Sequence, residues 1–186
     1  MMKRIARKAG ALRLPNRSGP SSAEGSQLLE FALVVPLLLV FVIGIIDFSG
    51  AYNLKQKLNN AAREGARYAA TQSSNILDIK TTAAAQAVGN VVENYMENAG
   101  LTNPKCSFAA PSSPTLVYTY TSSKTGCSLV VDRGYTVTNG TGSIISTHVT
   151  VSYPYSWSFS KIIRLFVPGS SLSLPTTISS DAVMQN

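Results

Sequence analysis

From Phe31 to Ile46 the chain reads FALVVPLLLVFVIGII, with no charged or strongly polar residue. Leu28 and Leu29 extend the stretch to roughly the 17–20 residues that a helix needs to cross about 30 Å of hydrocarbon. Glu30 interrupts its near edge and Asp47 closes its far edge. A soluble surface helix is apolar along one stripe, whereas a helix apolar on every face lies in a large core or in lipid. A membrane span is therefore expected, with a buried core helix as the alternative.

The charge distribution points the same way. The 186 residues carry 16 Lys+Arg against 9 Asp+Glu. Six of the basic residues (Lys3, Arg4, Arg7, Lys8, Arg13 and Arg17) precede Gly25 with one acid, Glu24, so the first 25 residues carry +5 and the rest only +2. A nucleic-acid-binding body would keep its basic stripe on the folded part, so no nucleic-acid partner is expected. The basic leader, rich in Gly, Pro and Ser, has no apolar periodicity and is not expected to fold alone.

After the apolar run, small or apolar residues recur at Ala51, Leu54, Leu58, Ala61, Gly65 and Tyr68 in steps of three and four. This is one helical stripe. No proline lies between Leu37 and Pro104, so one helix is expected to continue from the apolar run to about Ala70, a rod of about 65 Å. Thr71 to Asn75 reads as a break, with Ser74 or Asn75 as N-cap and Asp78 in the first turn. A second helix is predicted to Ala99, with Ile79, Ala83, Ala87, Val91 and Tyr95 on one face and Gly100 as its C-cap glycine.

Beyond Gly100, Ser and Thr supply 29 of 86 residues and charges only seven, which disfavours salt-bridged helices. Leu116–Thr121 and Ser128–Val131 read as strands. Ile145, Thr147, Val149, Val151 and Tyr153 alternate within Ser143–Tyr153, the period of a half-buried strand, after a turn at Asn139–Gly142. A short helix is predicted at Ser160–Phe166, packed by Ile162, Ile163 and Phe166. A last strand is predicted around Leu172–Val183, where Pro175 restricts it to an edge. The fold class is α+β: a long N-terminal, partly transmembrane helix with a small antiparallel sheet domain. The expected organisation is a leader (1–25), a span (26–50), a helical region (51–100) and a β-rich domain (101–186).

The junction Gly25-Ser-Gln-Leu-Leu-Glu30-Phe31 puts a basic leader ending in glycine before the apolar run, with a carboxylate five residues on. A secretory signal has the opposite order, with its apolar core before the cut. The junction resembles a type IV prepilin signal. Together with Glu30-Phe-Ala-Leu-Val-Val-Pro-Leu-Leu-Leu39, Gly44-Ile-Ile-Asp-Phe48 and Ala61-Ala-Arg-Glu-Gly-Ala-Arg-Tyr-Ala-Ala70, it resembles the TadE-like family, pseudopilins of the Tad (Flp) pilus system. The resemblance covers about Gly25 to Ala70 and implies a pilin-like fold. It also implies cleavage between Gly25 and Ser26 by a prepilin peptidase, with the hydrophobic helix kept on the mature protein. Implied partners are other pilin and pseudopilin subunits, a pilus assembly platform and the inner membrane, with the C-terminus outside the cytoplasm.

A carboxylate at the edge of a membrane helix costs less than one at its centre but is still unfavourable. The resemblance implies an assembly role for Glu30: pairing with the new amine of Ser26 in a neighbouring subunit, so that both charges leave water together. The alternative is a carboxylate resting in the headgroup layer. Phe31 belongs to the same implied assembly segment. Pro36 either kinks the helix for packing in a filament or is a tolerated membrane proline. Ala61, Gly65 and Ala69 permit close helix approach, to the chain's own sheet or to another pilin. Arg63, Glu64 and Arg67 read as a solvated charged edge. Cys106 and Cys127, the only cysteines, lie in the segment placed outside the cytoplasm, where a disulfide is expected and two buried thiols are the alternative. His148 has the opposite parity to Val149 and Val151 and should face solvent.

No GxSxG, phosphate loop, paired acids or Cys/His metal spacing is found, so no catalytic residue, cofactor or metal is expected. The reading is a processed pseudopilin or minor pilin for pilus assembly or adhesion. The alternatives are a single-pass envelope binding protein outside any filament, and a secreted enzyme whose signal is removed near Ser49–Ala51.

Overall fold

The computed structural model describes residues 22–72, 82–109, 116–122, 125–138, 142–166 and 173–185, with Gly140 and Gly169 between them. Helix α1 runs over Ser22–Thr71 and α2 over Thr82–Asn98, followed by strands β1 (Val117–Thr121), β2 (Ser128–Thr138) and β3 (Ser143–Pro154). Helix α3 (Ser158–Phe166) and strand β4 (Thr177–Gln185) complete the order. The chain divides into two units at Leu39/Val40.

In the first unit, residues 22–39 are helical and the apolar side chains from Leu28 to Leu39 are mostly exposed. The second unit is α+β. Its sheet has the order β1-β2-β3-β4 with every pair antiparallel, so consecutive strands are neighbours and β4 is an edge. The register aligns Tyr118, Val131, Val149 and Ala182 in one row across the sheet, and Tyr120, Leu129, Val151 and Ser180 in another. Because side chains alternate along a strand, both rows stand on the same face. That face is buried, and the core it forms takes Leu54, Leu58, Ala61, Ala62, Ala66 and Ala69 from α1. Val88, Val92 and Met96 come from α2, and Phe108 from the segment after it.

Gly65 shows how closely the layers approach: a Cβ placed there would lie 2.7 Å from Val92 Cγ2 and 3.5 Å from Val149 Cγ1. The small residues at 61–69 therefore serve packing within the chain's own fold. The C-terminal end of α1 has no basic residue in its last turn. The buried Arg133 of β2 supplies one from the sheet, donating from Nη2 to the Gln72 carbonyl at 3.0 Å. A cation there complements the partial negative charge of the helix end.

Several expectations are corrected. The buried row of α2 is Val88–Val92–Met96, one residue on from the predicted row. Ala87, Val91 and Tyr95 are half-buried at its margin, because Val88, Val92 and Met96 are the residues that α2 turns toward Phe108 and the sheet. The predicted N-cap at Ser74 or Asn75 and Asp78 lie outside the described residues, as does Ile79. Strand β2 continues to Thr138, well past Val131, through an irregularity between Asp132 and Tyr135. The hairpin end beyond it is exposed from Tyr135 to Thr138, and Ile145 is exposed with it, against its predicted parity. Pro175 precedes β4 and does not lie within it; the edge position is as expected. His148 points away from the buried face but is only partly exposed, lying 3.2 Å from Asp181 Oδ2 and in ring contact with Tyr135.

Candidate functional site

The residues singled out at the amino-terminal end all lie on α1. Gly25, Ser26, Glu30 and Phe31 are exposed, and Pro36 is half-buried inside the helix. Pro36 has no N–H for the carbonyl four residues earlier, so one helical hydrogen bond is missing there. Glu30 has no hydrogen-bond or ion-pair partner among the described residues. Gly25 is informative by contrast with Gly65. Among the described residues a Cβ at Gly25 would meet nothing within 4 Å, and the Gly25 φ is not positive. A glycine inside a helix costs about 1 kcal/mol relative to alanine. No packing contact among the described residues and no positive φ offsets that cost at Gly25.

From Leu28 to Phe48 the exposed side chains are almost all large and apolar, including Phe31, Leu33, Leu37, Phe41, Ile45 and Ile46. Contiguous apolar surface of this extent marks a partner or a membrane. Helix α1 is long and apolar enough to cross a bilayer.

In the second unit, the end of the apolar run is tied to the sheet domain by contacts that the sequence did not suggest. Asp47, only 7% exposed, accepts a hydrogen bond at Oδ2 from the Phe159 amide at 2.6 Å, in the first turn of α3. The Tyr155 hydroxyl donates to the Asp47 carbonyl at 2.8 Å. A carboxylate at a helix N-terminus meets unpaired N–H groups and the positive end of the dipole. Burial pushes the Tyr155 hydroxyl pKa above its ordinary value, and the Asp47 charge adds to that. Phe48 packs edge-on against Trp157 with ring centroids 5.6 Å apart, and Trp157 against Tyr155 at 4.9 Å. The signal available in the sequence was Asp47 itself, a charge ending an apolar run.

Cys106 and Cys127 form the expected disulfide, with Cα atoms 5.8 Å apart, joining the segment after α2 to the start of β2. The same segment is held by α2: Gln86 Nε2 donates to the Phe108 carbonyl at 2.8 Å, and the Phe108 amide donates to Glu93 Oε1. Glu64 and Arg67 pair at 3.0 Å on the exposed side of α1, and Arg63 is exposed beside them. They border an open groove of about 730 Å³ between α1 and β4, where Asp181 to Met184 form the far wall. Among the described residues no group of three His, Cys, Asp or Glu side chains could hold a metal ion.

Residues 25–67 match the family model described as TadE-like protein. The matched segment starts at Gly25, covers the apolar run and Asp47, and ends within the small-residue stretch at Arg67. No match was found among curated proteins or among solved structures.

Proposed function

We propose that this chain is a pseudopilin or minor pilin of the Tad (Flp) pilus system. It is inserted with its basic leader in the cytoplasm and its sheet domain outside, and a prepilin peptidase cuts it between Gly25 and Ser26. The mature subunit then takes part in pilus assembly or adhesion, with no enzymatic activity of its own. Its partners are the peptidase, other pilin and pseudopilin subunits, and the assembly platform in the inner membrane.

The observation that carries this reading is Gly25. Among the described residues nothing packs where a Cβ of Gly25 would stand, and the TadE-like match begins on this residue. Recognition by a peptidase supplies the missing reason. The exposed apolar surface that follows supports a helix retained in the membrane after the cut. The disulfide supports an oxidising compartment for the sheet domain.

Glu30 is the second element of the mechanism. Its exposed carboxylate lies five residues after Gly25, near the edge of the apolar run, without an intramolecular partner among the described residues. The α-amine freed at Ser26 of an adjacent subunit is a counter-charge that exists only after processing. Pairing the two lowers the cost of moving the helix from bilayer to filament.

The test is Glu30→Leu in a cell that makes the pili. An anchor alone needs only hydrophobicity, and this change removes a charge from the apolar edge. The proposal expects normal processing and stable membrane insertion, read from the mature band on a blot, together with loss of surface pili. Wild-type piliation by the processed variant, in a strain whose deletion lacks pili, contradicts the mechanism.

A further inference from the structure

Helix α3 is not part of the matched segment, and the sheet can be described without it. Its position is nevertheless fixed by the end of the apolar run. The Asp47 carboxylate holds its first turn through the Phe159 amide, and a Cβ at Gly44 would lie 3.6 Å from the Phe159 ring. Gly44 and Asp47 are three residues apart on α1, about 4.5 Å along its axis. Helix α3 therefore touches the last apolar turn itself. Where that run spans a bilayer, a helix held at this height lies at the membrane surface.

Its composition suits that position. At 100° per residue, Phe159, Ile162 and Ile163 fall on one side of α3, and Lys161 and Arg164 on the other. All three apolar side chains are half-buried, both basic side chains are exposed, and the helix carries no acid. Interfacial helices combine an apolar face with Lys and Arg opposite, and bind in proportion to buried apolar area and attraction to anionic lipid. The aromatic rings of Phe48, Tyr155 and Trp157 stand in contact at the same level. Trp157 also donates from Nε1 to the Pro175 carbonyl at 2.7 Å. Trp and Tyr concentrate at membrane–water interfaces, where an apolar ring with a polar tip is best accommodated.

We propose that α3 is an interfacial helix of the lipid bilayer. Its apolar side meets the acyl boundary and Lys161 and Arg164 engage headgroup phosphates, on the face of the membrane where α1 emerges. Clamped to Asp47, it sets the depth of the span and rests the sheet domain on the lipid surface. This inference depends on the membrane span proposed above, and the experiment separates the two.

The full chain is reconstituted into phosphatidylcholine vesicles with and without phosphatidylglycerol. Flotation after a carbonate wash reports the span. Trp157, the only tryptophan, reports the depth of the aromatic cluster beside α3 through quenching by lipids brominated near the headgroup or deep in the chains. A nitroxide on Ile163→Cys or Lys161→Cys, with the native disulfide kept oxidised, reports the two sides of α3. The proposal expects Trp157 to be quenched mainly by the shallow bromines and the label at 163 to be accessible to oxygen. The label at 161 should be accessible to a water-soluble nickel complex. The pair Lys161→Glu and Arg164→Glu should at least halve the quenching on anionic vesicles while leaving flotation intact. A protein that floats, but whose label at 163 is as water-accessible as that at 161, overturns the proposal and leaves the span standing. Unchanged quenching in the charge-reversed protein overturns it as well. A protein that fails to float overturns the span and the interfacial helix together.

Discussion

Replacing Gly65 by alanine sets two opposing effects against each other, and the structure decides which prevails. In an open helical position the change gains about 1 kcal/mol of helix propensity. At Gly65 the new Cβ would lie 2.7 Å from Val92 Cγ2, against about 3.5–4.0 Å for a comfortable carbon–carbon contact. Either Val92 leaves its rotamer, which a β-branched residue in a helix resists, or α1 and α2 part by about 0.8 Å or more. Both are packed in the core, and Val149 stands 3.5 Å away on the sheet side. Overpacking of this kind costs about 1–3 kcal/mol, so the net effect is destabilisation by about 1 kcal/mol. For a chain of this size that lowers Tm by about 2–4 °C. Val92→Ala alone should cost about 2 kcal/mol through the cavity it leaves. In the double variant the methyl group introduced at position 65 occupies the vacated volume, so its loss should be smaller than that of Val92→Ala alone, a non-additivity of about 2 kcal/mol. Thermal unfolding of the detergent-solubilised protein by circular dichroism measures all four corners of the cycle. A Tm raised by Gly65→Ala, or strictly additive effects, would refute the close approach of α1 and α2.

Two further outcomes follow from the sheet domain. Replacing Cys106 and Cys127 by serine removes a cross-link over a separation of 21 residues, worth roughly 3 kcal/mol; Tm should fall by about 6–12 °C. Non-reducing peptide mapping should recover the two cysteine peptides linked, and alkylation of both thiols without reduction would exclude the bond. Burial raises the pKa values of Tyr118, Tyr120, Tyr153 and Tyr155, although Arg133 partly opposes this at Tyr118. Their neutral forms are favoured in the folded state, so their contribution is complete below the unfolded tyrosine pKa of about 10 and declines above it. The denaturant midpoint should hold steady up to about pH 10 and then drop, with part of the tyrosine absorbance change appearing only on unfolding; a midpoint unchanged to about pH 11 would contradict this.

The parts of this fold that were legible in the sequence are those set by local periodicity. The stripe from Leu54 to Ala69 and the lack of proline after Pro36 and before Pro104 foretold one continuous α1. The alternation from Thr147 to Tyr153 foretold the buried face of β3. In α2, two rows one residue apart are both apolar enough to be buried, and the choice between them is made by Phe108 and the sheet, which periodicity does not see. What escaped altogether were bonds between distant residues. Asp47 and Phe159 are 112 positions apart, and Gln72 and Arg133 are 61 apart. Each joins a helix end to a charge that nothing nearby in the chain announces. The candidate processing and assembly residues were singled out on another ground, their order relative to the apolar run, which is a property of sequence.

The mature amino terminus tests the central claim most directly. Protein purified from the membrane fraction, or from sheared pili, is measured intact by mass spectrometry, and its first peptide is then sequenced. The account predicts a chain beginning at Ser26, lighter than the precursor by the 25 leader residues and still carrying the apolar helix. Substitution of Gly25 by leucine should leave the full-length precursor in the membrane. A mature chain beginning near Tyr52 would instead show removal of a secretion signal, and an intact leader on the wild-type protein would show a plain anchor. Either result would contradict the pseudopilin reading.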